Sequence, residues 1–294
     1  MTASVAQVTH VGSWVRDILA LGKPRLSTLV IATTAGGMWL APGGLSTART
    51  LLVLAATTIL VGAANALNCY LERDVDALMT RTRSRPLPAG RFSAPPVWRW
   101  AWIVAGAMTG ILGLAANPLT AVLGAIACLS YVMVYTPMKR LSPLAVLVGA
   151  VPGALPPLMG WTAVTGRLDA TGIALFAVLF FWQLPHFIAI SMYLRDDYAR
   201  AGLQVFSVAL GDRAARLWTI ASTVALIPVT LVLVPLGAAN QLYGGLALAL
   251  GLALLGFTVV GLSKHGAQAW GRRVFAGSIV YLTLLLVALV MGAR

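Results

Sequence analysis

The chain has 294 residues, of which 59% are hydrophobic and only 10% charged, and its formal net charge is +13. About 25% of the residues in soluble domains are charged, so the composition excludes an ordinary soluble protein and indicates an all-α, polytopic membrane protein. The basic excess does not imply nucleic acid as a partner, because the distribution of charge between loops accounts for most of it.

The N-terminal segment, residues 1–22, is expected to be a disordered tail followed by a short interfacial helix with Trp14, Ile18 and Leu21 on one side. Apolar runs after it predict about nine transmembrane helices around a central cavity, so that residues 1–294 form a single transmembrane domain. The predicted spans are residues 26–40, 50–70, 96–115, 119–135, 143–164, 170–193, 217–235, 241–262 and 274–292.

The loops between these spans differ in charge. When they are assigned alternately to two sides, every Lys and Arg except Arg49, Arg167 and Arg294 falls on one side. The positive-inside rule makes that side cytoplasmic, with the N-terminus inside and the C-terminus outside, and we expect the plasma membrane as the location. Every acidic residue except Asp169 lies on the same side. Since acids contribute little to orientation, their clustering indicates a metal–phosphate site on the cytoplasmic face.

The end of the second span carries Asn68, Glu72 and Asp76 at intervals of four residues. On an α-helix each step of four drifts by only about 40°, so the three side chains project from one face. One amide and two carboxylate oxygens are hard ligands suited to Mg²⁺, which leaves other positions for water and substrate phosphates. We therefore predict that they bind Mg²⁺ and act in catalysis. A solvated helix end is the alternative, but it does not explain acids at the membrane boundary.

Basic residues follow the two acids. Arg81, Arg83 and Arg85 come after the second span, where a polyanion would need counter-charge. Tyr135 and Lys139 close the fourth span. We predict that Lys139 is a catalytic residue that neutralises diphosphate charge, although an orientation charge explains it equally well, and a tyrosine at this place is ordinary in the interfacial belt.

The fifth span contains Pro152, Pro156 and Pro157. A sequence of this kind is not expected to remain a straight helix. Broken backbone at membrane depth is tolerated where it lines a cavity or packs against protein, so we predict a cavity near the centre of the fold.

The sixth span ends in a second acidic segment. Tyr193 lies seven residues and Asp197 eleven residues after His186, both within about 20° of its direction on a helix, which predicts one stripe from a buried histidine to the cytoplasmic boundary. Buried ionisable groups in membranes are usually functional, although a core histidine satisfied by neighbouring backbone is the alternative. We assign the last three spans a packing role.

Two acidic helix ends that face each other would hold Mg²⁺ against a diphosphate, while Arg and Lys neutralise its other oxygens. The inferred reaction is ionisation of a prenyl diphosphate, followed by attack of an electron-rich acceptor on the allylic cation. A cation-coupled transporter would also use broken helices and buried acids. Its acids should lie near the midplane, however, and these lie at one surface.

These residues occur in segments that resemble the UbiA superfamily of intramembrane prenyltransferases, and within it the protohaem IX farnesyltransferase (haem O synthase) branch. The resemblance covers about residues 23–211, and the Pro-Pro-x-x-Gly-Trp and Trp-Gln-x-Pro-His-Phe segments carry the likeness to the haem branch. The matching segments are 23–25, 68–87, 135–140, 153–161, 181–187, 197–198 and 201–202.

The resemblance implies Mg²⁺ as the cofactor, farnesyl diphosphate and haem b as substrates, haem O as the product, and haem A synthase or terminal-oxidase assembly as downstream partners. A quinone precursor or another aromatic acceptor is the alternative to haem. The family's site implies substrate-binding residues and further metal ligands. The substrate-binding residues are Arg81, Arg85, Tyr135, His186, Tyr193 and Arg195, and the further metal ligands are Asp196 and Asp197. The chain departs from the family at Glu72, where Asp is common, and in having adjacent acids in the second motif.

Overall fold

The computed structural model describes residues 14–264 and 266–293, so the expected tail (1–12) and the last residue lie outside the described part of the chain. The described residues form helices joined by short loops. The helices are α1 (residues 14–22), α2 (Pro24–Leu40), α3 (Thr47–Asp76), α4 (Ala94–Ala115), α5 (Pro118–Leu129), α6 (Thr136–Met138), α7 (Ala145–Thr165), α8 (Ala170–Tyr193), α9 (Arg195–Arg200), α10 (Phe206–Ala209), α11 (Gly211–Leu231), α12 (Gln241–Lys264) and α13 (Ala267–Gly292).

Eight membrane-crossing segments in the described chain are long and apolar enough to span a bilayer. A shorter apolar stretch, Ser27–Leu40 in α2, adds a ninth. Residues 14–264 and 266–293 form no strand, and their one β-bridge is isolated. The predicted class, an all-α multi-pass membrane protein with about nine spans, is confirmed.

Helix α7 connects two hydrophobic clusters. One lies around α3, α4, α5 and α7, with Leu67, Leu112 and Met159 at its centre. The other lies around α8 and α11–α13, where Trp182 and Tyr243 are both buried. The C-terminal turns of α8 pack in a third cluster, with Ile188, Met192 and Trp270, so the C-terminal ends of α3 and α8 belong to different parts of the core.

The break predicted in the fifth span is wrong. Helix α7 runs without interruption through Pro152, Pro156 and Pro157. Each proline removes one backbone donor, yet the helix persists where it packs on α8, whose Gln183 donates to the Ala150 carbonyl at 3.1 Å. The irregular helix lies elsewhere, in a π-helical turn between α5 and α6, Ser130–Tyr135.

The stripe predicted along the sixth span is also wrong at its end. Helix α8 stops at Tyr193, and Leu194 leaves helical geometry with φ −106° and ψ 24° before α9 begins. Asp197 therefore lies on a separate short helix, so the spacing of eleven residues from His186 carries no common direction.

Candidate active site

The C-terminal end of α3 turns three oxygen-bearing side chains towards the protein interior. Asn68, Glu72 and Asp76 are buried, with 0%, 7% and 1% of their surface exposed. Asp74 lies between them in sequence, yet its side chain is 78% exposed. Because α3 remains helical for 30 residues, the four-residue spacing places the three on one face, as the sequence predicts; their role in binding and catalysis remains a prediction.

Each of these three side chains pairs with a cation from a different segment. The Lys23 ammonium donates to Asn68 Oδ1 at 2.7 Å. Lys139, after α6, forms an ion pair with Glu72. Arg85, in the loop after α3, donates from Nη1 to Asp76 Oδ2 at 2.7 Å. Isolated buried charges are costly, so this pairing allows the cluster to remain ionised inside the protein.

Lys23 is the member of the cluster that the site prediction missed. It has φ 52° and ψ 67°, and it is the only non-glycine residue with positive φ among residues 14–264 and 266–293. A residue before proline normally adopts extended geometry, so this conformation is strained and is of the kind that collects at functional sites. The turn directs the side chain from the start of α2 to Asn68. The Lys-Pro dipeptide alone does not reveal it.

Two threonines form hydrogen bonds that fix the positions of Asn68 and Asp76. Asn68 Nδ2 donates to Thr136 Oγ1 at 3.0 Å, and Thr136 Oγ1 donates to the Tyr131 carbonyl at 2.8 Å, within the π-helical turn. Thr82 donates to the backbone carbonyl of Asp76 at 2.8 Å and is itself buried. These bonds fix the rotamers of the amide and the end of α3, which is the preorganisation a binding site requires.

The pKa values of the three cations reflect this environment. Burial lowers the pKa of the Lys23 ammonium. Burial also opposes the charge on Lys139, but its contacts with Tyr135 and Glu72 outweigh burial and raise its pKa. For Arg85, Asp76 likewise outweighs burial and raises the pKa. Lys139 and Arg85 are therefore firmly charged, whereas Lys23 is the cation of the cluster that loses its proton most readily.

The other predicted substrate-binding residues lie at varied distances from this cluster. Tyr135 is adjacent, with Lys139 Nζ 4.6 Å from its ring centroid. Arg81 is exposed on the loop after α3. Tyr193 lies at the end of α8, where the Arg272 guanidinium is 5.8 Å from its ring centroid.

The two acids of the second acidic segment, Asp196 and Asp197, have different neighbours. Asp196 lies in the following cleft. Arg195 Nη1 donates to Asp212 at 3.1 Å, and Gln268 Nε2 donates to Asp196 at 2.8 Å. Together with the start of α13 they line a cleft of about 510 Å³, whose lining does not include the acids of α3. Asp196 is exposed, so its environment differs sharply from that of Glu72.

Asp197 is linked to the loop after α3 through Arg200. It forms an ion pair with Arg200, which also donates to Thr80 Oγ1 at 3.1 Å. Val75 of α3 and Ala201, which follows α9, also pack in one small apolar cluster. The two acidic segments therefore touch. Within residues 14–264 and 266–293, however, no three or more His, Cys, Asp or Glu side chains are gathered closely enough to hold a metal.

His186 occupies a separate aromatic environment in α8. Its ring stacks on Trp182 and lies against Phe275, both at 4.7 Å between centroids. Nδ1 is 2.8 Å from Ser278 Oγ, whose single hydrogen is directed to the Phe275 carbonyl at 2.7 Å. Nδ1 then donates to Ser278, which leaves Nε2 with its lone pair. The last spans, to which we assigned only packing, thus supply Ser278 and Phe275.

The model of the UbiA prenyltransferase family matches residues 29–291. The chain belongs to the UbiA prenyltransferase family. A protoheme IX farnesyltransferase of Anaeromyxobacter sp. (strain Fw109-5) is 57% identical over 281 residues, which cover 96% of this chain and 95% of that protein.

Solved structures agree on the fold. A structure of digeranylgeranylglyceryl phosphate synthase superposes with a TM-score of 0.79 at 14% identity, covering 95% of this chain and 98% of the other. A UbiA homologue from Archaeoglobus fulgidus bound to GPP and Mg²⁺ superposes with a TM-score of 0.68 at 17% identity, covering 93% and 99%. This UbiA prenyltransferase is thus an enzyme embedded in a membrane by several spans, and the cluster at the end of α3 is its candidate active site.

Proposed function

We propose that this enzyme transfers the farnesyl group of farnesyl diphosphate to a vinyl group of haem b, with Mg²⁺ as cofactor, and gives haem O and pyrophosphate. The observation that carries the proposal is the buried cluster at the end of α3, in which an amide and two carboxylates each engage a cation. The protoheme IX farnesyltransferase name of the Anaeromyxobacter relative supports haem as the acceptor, and the GPP-bound homologue supports a prenyl diphosphate donor.

The donor set fits Mg²⁺. Asn68, Glu72 and Asp76 offer hard oxygen atoms on one buried face, and each carboxylate engages its cation through one oxygen. Mg²⁺, when bound, supplies a Lewis acid that neutralises charge on the departing diphosphate. Asp197 and Asp196, on the segment after α8, are the candidates for further ligands.

The cations complete the diphosphate site. Lys139 and Arg85 are positively charged and end beside the two acids, so they can transfer their hydrogen bonds to phosphate oxygens as the substrate enters. Lys23 would bind a third position next to Asn68. As the bond from C1 of the farnesyl group to the diphosphate oxygen weakens, these groups stabilise the negative charge on pyrophosphate.

The acceptor side of the reaction is assigned to His186. It lies seven residues, about 10 Å of helix, from the cytoplasmic end of α8, among aromatic rings that suit a flat macrocycle. Neutral imidazole is a common ligand of haem iron, and the bond to Ser278 orients the ring in the way outer partners orient metal-binding histidines. We infer that Nε2 ligates the iron of haem b.

The reaction forms one carbon–carbon bond and breaks one carbon–oxygen bond. The terminal vinyl carbon attacks C1 of the farnesyl group, the carbon–carbon bond forms, and the diphosphate departs with its electron pair. Water then adds to the resulting cation next to the porphyrin ring and loses a proton, which gives a hydroxyethylfarnesyl substituent.

The proposal includes the location. The cluster, the loop after α3 and the segment after α8 lie on the basic side of the chain, which the positive-inside rule makes cytoplasmic. The N-terminus would then be cytoplasmic and the C-terminus outside, in the plasma membrane. Residues 1–294 would act as one domain, with haem A synthase or terminal-oxidase assembly downstream.

The experiment that tests this function supplies purified protein in liposomes with farnesyl diphosphate and Mg²⁺, together with haem b, 4-hydroxybenzoate or no acceptor. Haem O, identified by mass spectrometry, is expected only with haem b and only with Mg²⁺ present. Prenylation of 4-hydroxybenzoate instead would assign the enzyme to quinone precursors, and no product in any reaction would contradict both assignments.

A further inference from the structure

Helix α1 has an apolar surface that faces away from the protein. Four of its side chains are 42% to 58% exposed: Trp14, Val15, Ile18 and Leu19. Leu21, by contrast, is buried against Leu87 of the loop after α3. A helix with this division lies in the headgroup layer of a membrane, here with its other side on the loop that carries Arg85.

The polar link between α1 and that loop is a two-pronged ion pair. Arg91 Nε donates to Asp17 Oδ2 at 2.8 Å, and Arg91 Nη2 donates to Asp17 Oδ1 at 3.0 Å. Nη2 also donates to the Ser84 carbonyl at 3.0 Å. A planar guanidinium that grips a carboxylate with two bonds fixes orientation as well as distance. The loop is thus held on both sides of Arg85, by Ser84 and by Arg91.

The other end of α1 leads directly to Lys23. Asn65 of α3 donates from Nδ2 to the Gly22 carbonyl at 3.2 Å, and the next residue turns sharply into α2 with its ammonium on Asn68. Two of the three cations in the cluster, Lys23 and Arg85, are therefore attached to α1, one through the chain and one through the Asp17–Arg91 pair.

We propose that Asp17 and Arg91 are positioning residues for the diphosphate site: they hold the membrane-surface helix α1 against the loop of residues 77–93, so that Arg85 and Lys23 stand at the spacing the diphosphate requires. The proposal rests on the proposed function and adds to it two residues that touch neither substrate nor metal. It concerns the diphosphate substrate alone, because the acceptor environment around His186 belongs to other helices.

An ion pair at the protein surface adds little to folding stability. Loss of the Asp17–Arg91 pair should therefore leave the protein folded and act on the geometry of the loop. Because the pair acts on the diphosphate only through the positions of Arg85 and Lys23, the expected effect is a rise of a few-fold in the KM for farnesyl diphosphate.

The test compares Asp17→Asn, Arg91→Gln and the exchanged pair Asp17→Arg with Arg91→Asp, all as full chains in liposomes. Each single variant should raise the KM for farnesyl diphosphate about three- to fivefold and leave the KM for haem unchanged. The exchanged pair should recover at least half of the loss. Arg16→Gln is the matched control, because it removes a neighbouring charge from α1 and keeps the Asp17–Arg91 bonds.

A second measurement does not depend on turnover. Hydrogen exchange in the substrate-free protein should be faster at the amides of residues 82–91 in Asp17→Asn than in wild type or Arg16→Gln. An unchanged KM together with unchanged exchange, or equal effects in Arg16→Gln, would overturn the proposal. Those results would leave the proposed function unchanged, because that function is contradicted only if the wild-type protein makes no haem O.

Discussion

The two acidic segments, at the end of α3 and after α8, are both predicted from the sequence to hold metal ligands, but they differ in the fold. Glu72 and Asp76 are buried and paired with Lys139 and Arg85. Asp196 is exposed and binds the side chain of Gln268. The difference arises because α3 continues unbroken to Asp76, whereas α8 ends at Tyr193 and the acids after it lie on a new helix. An acidic motif becomes a buried site only where the helix register carries it inward.

The sharpest test of this comparison is Asp76→Ala against Asp74→Ala. Loss of the buried carboxylate should reduce kcat at least ~100-fold, the effect of removing a group that stabilises transition-state charge. Asp74 is exposed, so its variant should stay within about twofold of wild type, as surface substitutions usually do. Assays in membranes with equal protein content measure both. Equal losses at the two positions would contradict the one-face arrangement.

His186→Ala tests the half of the molecule that lacks buried acids. Haem affinity, followed by the Soret band, should fall by about 10- to 100-fold, while the KM for farnesyl diphosphate and the Mg²⁺ dependence remain unchanged. Ser278→Ala should give a smaller change of the same kind, because the imidazole remains but loses its orientation. If wild type and His186→Ala show the same haem affinity and spectrum, His186 is not an iron ligand.

Neutralising the cations of the α3 cluster should weaken the binding of farnesyl diphosphate and not of haem. Lys139→Gln and Arg85→Gln should each raise the KM for farnesyl diphosphate about tenfold, equivalent to ~1.4 kcal/mol, and change the KM for haem much less. Initial rates with each substrate varied in turn separate the two. An unchanged KM for farnesyl diphosphate in both variants would return these residues to a purely topological role.

Lys23→Met should have the smallest effect of the series. Its ammonium binds Asn68, a neutral amide, and burial already lowers its pKa, so removal of the charge should raise the KM for farnesyl diphosphate about threefold, the size of one modest hydrogen bond. A loss as large as that of Lys139→Gln would show that the strained turn before Pro24 serves chiefly to deliver this cation.

Much of the fold could be predicted because membrane spans are long and their signal is hydrophobicity. The face shared by Asn68, Glu72 and Asp76 followed from spacing, since nothing interrupts α3. The break at Leu194 could not be predicted, because an apolar residue between helical segments carries no signal of its own. The left-handed turn at Lys23 and the contact of Ser278 with His186 depend on tertiary packing, over 45 residues to Asn68 and 92 residues to His186.

The π-helical turn at Ser130–Tyr135 has a consequence for how this protein tolerates length changes. A π-turn contains one residue more than an α-turn, and each residue of an α-helix rotates the chain by about 100°. Lys139 follows the turn after the three residues of α6, and the π-turn absorbs the extra residue because it winds less per residue than an α-helix. Deletion of Met133, which is exposed, would therefore restore a regular helix, keep the span apolar and leave the Lys139 ammonium directed at Glu72. A substitution that made the same residues wind as a regular α-helix would instead rotate Lys139 by about 100°, and would separate one of the two charged pairs although hydropathy would hardly register the change.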